Sequence, residues 1–210
     1  IYFMIDLYYW PTPNGRKVSI LLEELKVPYK IIKIDISKNE QFSDVFTKIS
    51  PSNKIPAIID HETNQHIFES GVILLYLASK YNQFLPQKHY WQVMEWLTFQ
   101  MSQVGPLLGQ AHQFLHYNKG KSSYAEKKYI DYSKRIYKTL NYRLEKREYL
   151  ANEYSIADIA TWPWIARFEI HKIDIYSYKN VLRWYKTIVS RSAVIKGYNV
   201  DKDNDPIPLS

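Results

Sequence analysis

The chain reads as an α/β half followed by an all-α half, and three observations predict this. A strand–helix–strand pattern opens the chain within roughly thirty residues, the size of a βαβ unit. Two further short strands and a helix follow before residue 85. From Tyr90 onward no convincing strand occurs, and apolar residues recur at helical spacing.

Met4 to Tyr9 is a short apolar strand, and Pro11-Thr12-Pro13-Asn14-Gly15 is a breaker cluster. Beyond it, Val18, Leu21, Leu22 and Leu25 stand at i, i+3, i+4 and i+7, one face of a helix. Asn14 is a candidate N-cap for that helix. Tyr29 to Asp35 is rich in β-branched residues and forms the second strand. Ile55-Pro56-Ala57-Ile58-Ile59-Asp60 is a third strand with proline at its start, where proline is tolerated. Glu62 to Gln65 turns the chain into a fourth, His66 to Phe68, and Glu69-Ser70-Gly71 opens a helix carrying Ile73, Leu74 and Leu77 on one face. This order, βαβ then ββα, fits a mixed sheet covered by helices.

In the second half a helix from Tyr90 meets Gly105-Pro106, where a break or kink is expected. Tyr117 to Ser123 is a polar loop. Tyr129, Ile136, Leu140 and Leu144 mark a long helix. Ser155-Ile156-Ala157-Asp158 has capping-box spacing, with Asp in place of the usual Glu, ahead of a Trp-rich helix through Glu169. Another helix covers about Tyr178 to Val189, and Asp201 to Ser210 is a polar, proline-containing tail expected to fray. The expected domains are residues 4–85 and 90–200.

Composition narrows the chemistry. There is no cysteine, so disulfides and thiolate metal sites are excluded, and any thiol chemistry must use a thiol carried by the ligand. The net charge is +7, but Lys and Arg are interleaved with Asp and Glu along the chain. That pattern reads as a basic solvated surface rather than a nucleic-acid stripe, and a diffuse positive field also attracts a small anion. Nineteen tyrosines suit core packing better than a cleft lining, although they serve both. No run of about 18 apolar residues and no basic start followed by an apolar core occurs, so a cytosolic protein is expected. His112 and His116 stand at i, i+4 without a third ligand, so no metal is expected, and His112 is a candidate for a substrate pocket.

Three short motifs remain as candidate sites. Thr12-Pro13-Asn14-Gly15 lies where a strand enters a helix, and the free amides of a helix start favour an anion such as a thiolate. A capped turn without ligand is the simpler reading of the spacing. Asn53-Lys54-Ile55-Pro56 suits either a cis proline in a tight turn, which frees the preceding backbone for a peptide ligand, or an ordinary trans proline at an edge. Glu69-Ser70 could hold the amine and carboxylate of an amino acid, or could merely cap its helix.

Taken in order, these segments resemble the cytosolic glutathione transferase family, from Met4 to about Tyr198. Ile55-Pro56 matches the family's cis-proline position, Phe68-Glu69-Ser70-Gly71 its γ-glutamyl site, and Tyr154-Ser155-Ile156-Ala157-Asp158 its C-terminal capping box. The resemblance implies a thioredoxin-like N-terminal domain and an all-helical C-terminal domain. More narrowly, the chain resembles the bacterial nu-class branch, disulfide-bond oxidoreductases related to a fungal nitrogen regulator. That likeness rests on Trp10 to Gly15, Gln41-Phe42, Ile49 to Ile58 and Gly109-Gln110-Ala111-His112.

The branch implies a site for two glutathiones or one glutathione disulfide, and reduction of a disulfide by glutathione without a protein cysteine. By position, Thr12 would hydrogen-bond a glutathione sulfur and Asn14 would stabilise the thiolate. Gln41, Lys54, Ile55, Glu69 and Ser70 would bind the first glutathione, and Arg135 would pair with a glutathione carboxylate. A homodimer acting on small disulfides or peroxides is implied, with no nucleic acid and no membrane partner. Two other functions stay open: conjugation of glutathione to electrophiles, since Thr12 stands where some classes place a catalytic serine, and non-catalytic glutathione-binding regulation.

Overall fold

In the computed structural model of the chain, which describes residues 4–201 and 205–209, the elements run β1 (Ile5–Tyr9), α1 (Pro13–Leu25), β2 (Tyr29–Lys33), α2 (Asp44–Ile49), β3 (Ala57–Asp60), β4 (Gln65–Phe68), α3 (Ser70–Tyr81), α4 (Tyr90–Phe99), α5 (Gly105–His112), α6 (Ser123–Arg143), α7 (Ile156–Ile165), α8 (Lys179–Val189) and α9 (Ser192–Tyr198). The described residues divide into two units. Those up to Gln83 group with Ser192 to Pro206, and Phe84 to Arg191 group with the residues from Ile207 onward.

The first unit is built on a four-stranded sheet in the order β2-β1-β3-β4, with β2 parallel to β1 and the other pairings antiparallel. Strand alternation sorts β1 cleanly. Ile5, Leu7 and Tyr9 are fully buried on one face. Tyr8 points to the other and meets the Phe46 ring of α2 at 5.8 Å. There Ile34, Phe46, Ile49 and Ala57 form a small core with Tyr8, Ile55 and Ile59. Helix α1 packs against both α3 and α9, which is why nine of the ten residues from Pro13 to Leu22 are buried rather than a single stripe.

Three details depart from expectation. The N-cap of α1 is Thr12, not Asn14. Proline's fixed φ suits the first helical position, so Pro13 sets the cap one residue earlier. β3 begins at Ala57, and the Ile55–Pro56 bond before it is cis. Helix α2 stands in a stretch with no readable period, because only Phe46 and Ile49 of its six residues are buried.

The second unit is helical. The expected break at Gly105-Pro106 is instead a π-helical turn, Gln100–Val104, through which α4 passes into α5. Gly105 N–H donates to the Gln100 carbonyl, five residues back. The widened turn absorbs a proline that would interrupt an ordinary i→i−4 ladder. The α7 capping box is formed by Ser155 and Asp158. Asp158 also accepts from Leu150 N–H at 3.0 Å and Trp184 Nε1 at 2.8 Å. Burial raises its pKa to about 6 against these bonds. α7 ends at Ile165 and turns replace the helix expected through Glu169.

The tail is not frayed where it is described. Asp205 pairs with Arg16 at 3.0 Å, Ile207 is buried, and the Pro208 carbonyl accepts from Tyr185 Oη at 2.6 Å. Residues 202–204 and 210 of that tail lie outside the described residues. Among the described residues, no helix is long and apolar enough to cross a membrane.

Candidate functional site

The sheet register brings three of the candidate segments to one end. Tyr8 of β1 lies opposite Ala57 of β3, and Ala57 lies opposite Phe68 of β4. The chain therefore leaves β1 toward Thr12, enters β3 from Ile55 and leaves β4 toward Glu69, all at the same end of the sheet.

At the first of these, Thr12 is extended (φ −102°, ψ 162°) and its Oγ1 accepts from Gly15 N–H at 3.2 Å. That bond uses a lone pair of the hydroxyl and leaves its hydrogen to donate outward. Together with the positive end of the α1 dipole, this makes an anion-favouring corner. Asn14 is half-buried in the same turn. Gly15 is required there by close approach, since a Cβ would run into the Trp10 carbonyl oxygen and the Tyr9 ring.

At the second, the backbone N–H and C=O of Ile55 pair with no backbone group among the described residues. They stand one position before a cis proline, available to an extended ligand. Lys54 is exposed beside them. Asn53 Nδ2 donates to the Gln41 carbonyl at 2.9 Å, tying the Gln41 turn to this loop. Gln41 Oε1 is shielded from solvent and accepts no hydrogen bond among the described residues, as suits an acceptor kept for a ligand.

At the third, Glu69 sits at φ 68°, ψ 112°, a conformation that costs a non-glycine residue energy and persists where its surroundings hold it. It turns the exposed carboxylate outward just before Ser70, the buried first residue of α3. Beneath them lies a residue the sequence reading passed over. Lys17 of α1 is fully buried and its Nζ is 3.2 Å from Ser70 Oγ. Burial lowers its pKa to about 7, although the Glu69 charge pulls it upward. Lys17 stands four residues before Leu21 and so on the apolar stripe of α1, which was the available signal.

Two further candidates belong to the helical unit. Arg135 is exposed on α6 and lines a groove of about 400 Å³ with Tyr124, Lys127, Lys128, Asp131 and Tyr132. Its guanidinium lies 5.5 Å from the centre of the Tyr132 ring. His112 ends α5, where its Nε2 is 2.9 Å from Nε2 of His171, a residue with no local sequence signal. Among the described residues, no cluster of three or more metal-ligating side chains occurs.

The family model for the N-terminal domain of glutathione S-transferase matches residues 4–79, and that for its C-terminal domain matches residues 102–192. The chain belongs to the glutathione S-transferase family, with a thioredoxin-like first domain followed by a helical one. It is 44% identical over 198 residues to the disulfide-bond oxidoreductase YfcG of Escherichia coli (strain K12), an alignment covering 90% of this chain and 92% of that protein. Among solved structures it resembles a glutathione transferase from Pseudomonas putida with one glutathione disulfide bound per subunit. The TM-score is 0.90 at 37% identity, covering 95% of this chain and 92% of the other. It also resembles one from Burkholderia graminis with two glutathione molecules bound per subunit, at TM-score 0.88 and 38% identity, covering 96% and 90%.

Proposed function

We propose that the protein is a glutathione-dependent disulfide-bond oxidoreductase that works with the thiolate of bound glutathione. The observation that carries this reading is the convergence of the Thr12, Ile55 and Glu69–Ser70 turns at one end of the sheet in a chain without cysteine. Its likeness to a disulfide-bond oxidoreductase supports the reaction type.

In this reading Ile55 pairs with the glutathione backbone as an added strand would, with Gln41 and Lys54 beside it. Glu69 takes the γ-glutamyl ammonium, and Ser70 takes its carboxylate. The sulfur then lies at the α1 N-terminus, where the Thr12 hydroxyl and Asn14 amide donate to it and favour the thiolate. That thiolate attacks a substrate disulfide and expels one thiolate, which takes a proton. A second glutathione thiolate attacks the resulting mixed disulfide, releasing the other thiol and glutathione disulfide. Arg135 pairs with a glutathione carboxylate and His112 borders the substrate. Residues 4–85 are the glutathione-binding domain and residues 90–200 the helical domain. We also assign the protein to the cytoplasm and to a homodimer, for which the exposed Phe42, Val45 and Val72 offer apolar surface.

The test is calorimetric titration with glutathione and its disulfide, with hydroxyethyl disulfide turnover on the same sample. Binding of two thiols or one disulfide per subunit, with turnover, is expected. Thr12→Ala and Asn14→Ala should each lower kcat at least tenfold while the fold survives, since even the loss of the Thr12 cap costs only about 1 kcal/mol. Wild-type rates in both variants would remove Thr12 and Asn14 from the site. Binding without disulfide turnover, but with conjugation of an aromatic chloride, would make the protein a conjugating transferase.

A further inference from the structure

The excess positive charge of the chain is concentrated around α6. Residues 119–138 hold seven Lys and Arg against two acids, Glu126 and Asp131, and so carry five of the seven excess charges. Glu126 is engaged locally, where its Oε1 accepts from Gly120 N–H at 2.6 Å. We propose that the outer face of α6 is a docking surface for an acidic polypeptide, a partner distinct from glutathione. The inference goes beyond the glutathione reading and does not depend on it.

Helical spacing builds the face. Ala125, Ser133, Ile136, Tyr137 and Leu140 are buried and form the packed side of α6. Tyr124, Lys127, Lys128, Asp131 and Arg135 stand at i, i+3, i+4, i+7 and i+11 and are all exposed. With Tyr132 they line a groove of about 400 Å³. Lys128 Nζ lies 5.5 Å from the centre of the Tyr124 ring, and the Arg135 guanidinium 5.5 Å from that of Tyr132. Each tyrosine thus keeps a cation beside its ring. None of Lys127, Lys128 and Arg135 forms an ion pair among the described residues. A solvated basic face would leave its lysines dispersed, whereas here rings and cations alternate along one groove.

The chemistry of the face selects the partner. Carboxylates suit its ammonium and guanidinium groups. Tyrosine rings pack against the apolar stems of Glu side chains and against peptide planes. Asp131, in the middle of the face, decides between polyanions. A nucleic-acid backbone brings phosphates and no donor to it, whereas a polypeptide brings N–H groups from which it can accept. An anionic bilayer needs an apolar face to bury, and Tyr124 and Tyr132 are the apolar bodies of this groove. From Tyr124 to the exposed Lys138 the face runs about 21 Å at about 1.5 Å per residue, the length of about six residues of extended chain.

The experiment follows the fluorescence anisotropy of labelled hexaglutamate with the full chain, against hexaglutamine, single-stranded oligothymidylate and phosphatidylserine vesicles. Wild type should bind hexaglutamate and not hexaglutamine, with a Kd that rises about tenfold between about 0.05 and 0.3 M salt. Lys127→Glu together with Lys128→Glu should raise that Kd at least about tenfold at low salt, with the thermal midpoint little changed because both side chains are exposed. Tyr124→Ala, which leaves the charge alone, should raise it about threefold. Lys30→Glu together with Lys88→Glu changes the net charge equally at exposed positions elsewhere and should leave the Kd within about twofold. Should the first pair lower the midpoint, Tyr124→Ala and the second pair decide. Equal weakening by the two pairs, or no weakening by the first, overturns the proposal and leaves a diffuse field. Absence of hexaglutamate binding at low salt overturns it too. Tighter binding of oligothymidylate or of vesicles than of hexaglutamate likewise overturns it, and assigns the face to that class of partner.

Discussion

In the helical unit His112 and His171 meet nitrogen to nitrogen at 2.9 Å, and Nδ1 of His171 lies 3.0 Å from Tyr137 Oη. A separation that short holds one proton between the rings, so one imidazole donates and the other accepts, and two charged rings could not share it. Burial lowers the His112 pKa to about 4, helped by the nearby charges of Arg167 and His116, and burial holds that of His171 well below the usual histidine value. Both rings are therefore neutral in the folded chain while unfolded histidines titrate near 6.5. Below that pH the unfolded chain binds more protons, so these two residues make stability fall as the pH drops from about 6.5 toward 4. Asp158, which keeps its proton up to about pH 6 when folded, pulls the opposite way over part of this range. The informative quantity is thus the difference from wild type. His112→Gln should flatten the decline by about one proton's worth, roughly 1.4 kcal/mol per pH unit, in urea midpoints measured between about pH 4.5 and pH 6.5. A slope identical to wild type would mean that His112 is charged in the fold.

At the scale of elements, the decisive contact is α1 against α9. Gly197 of α9 lies over Ile20, where an added Cβ would stand 2.5 Å from the Ile20 Cα and 2.7 Å from its amide nitrogen. Ser19 Oγ donates to the Gly197 carbonyl at 2.6 Å, locking the crossing. Backbone cannot yield as a flexible side chain can, so Gly197→Ala should destabilise the chain by about 1–3 kcal/mol, read as a lower thermal midpoint. An unchanged midpoint would show that α9 is not held so closely. No local pattern announces this contact, because it joins residues far apart in sequence and the glycine has an ordinary helical conformation. The same limit governs what else was legible. The alternation in β1, the stripe of α1 and the Ser155–Asp158 box are local signals and stand in the structure. The breaker cluster before α1 also stands, but the cap is Thr12 rather than Asn14, Ile55 lies before β3 rather than in it, and Glu69 makes no side-chain cap bond. Lys17 and His171 went unread because their chemistry depends on burial and on partners 53 and 59 residues away.

For the molecule as a whole, the excess of seven positive charges bears on how an anion reaches the site. Part of that charge is neutralised locally: Lys80 by Asp60 and Glu62, Lys196 by Glu23, and Arg16 by Asp205. The groove beside Arg135 is different, with Lys127 and Lys128 exposed and Asp131 the acid among its lining residues. Glutathione is a net anion at neutral pH and its disulfide carries twice the charge, whereas hydroxyethyl disulfide is neutral. Long-range attraction acts on the first two and not on the third, and salt screens it over about 8 Å at physiological strength. Raising the ionic strength from about 0.02 to 0.5 M should therefore raise the KM for glutathione several-fold, with kcat little changed. The KM for hydroxyethyl disulfide in the same assay should stay constant. Arg135→Ala should raise the glutathione KM at low salt and show a shallower salt dependence. If both KM values rise together, salt acts on the fold or the chemistry, and the positive field has no part in delivering glutathione.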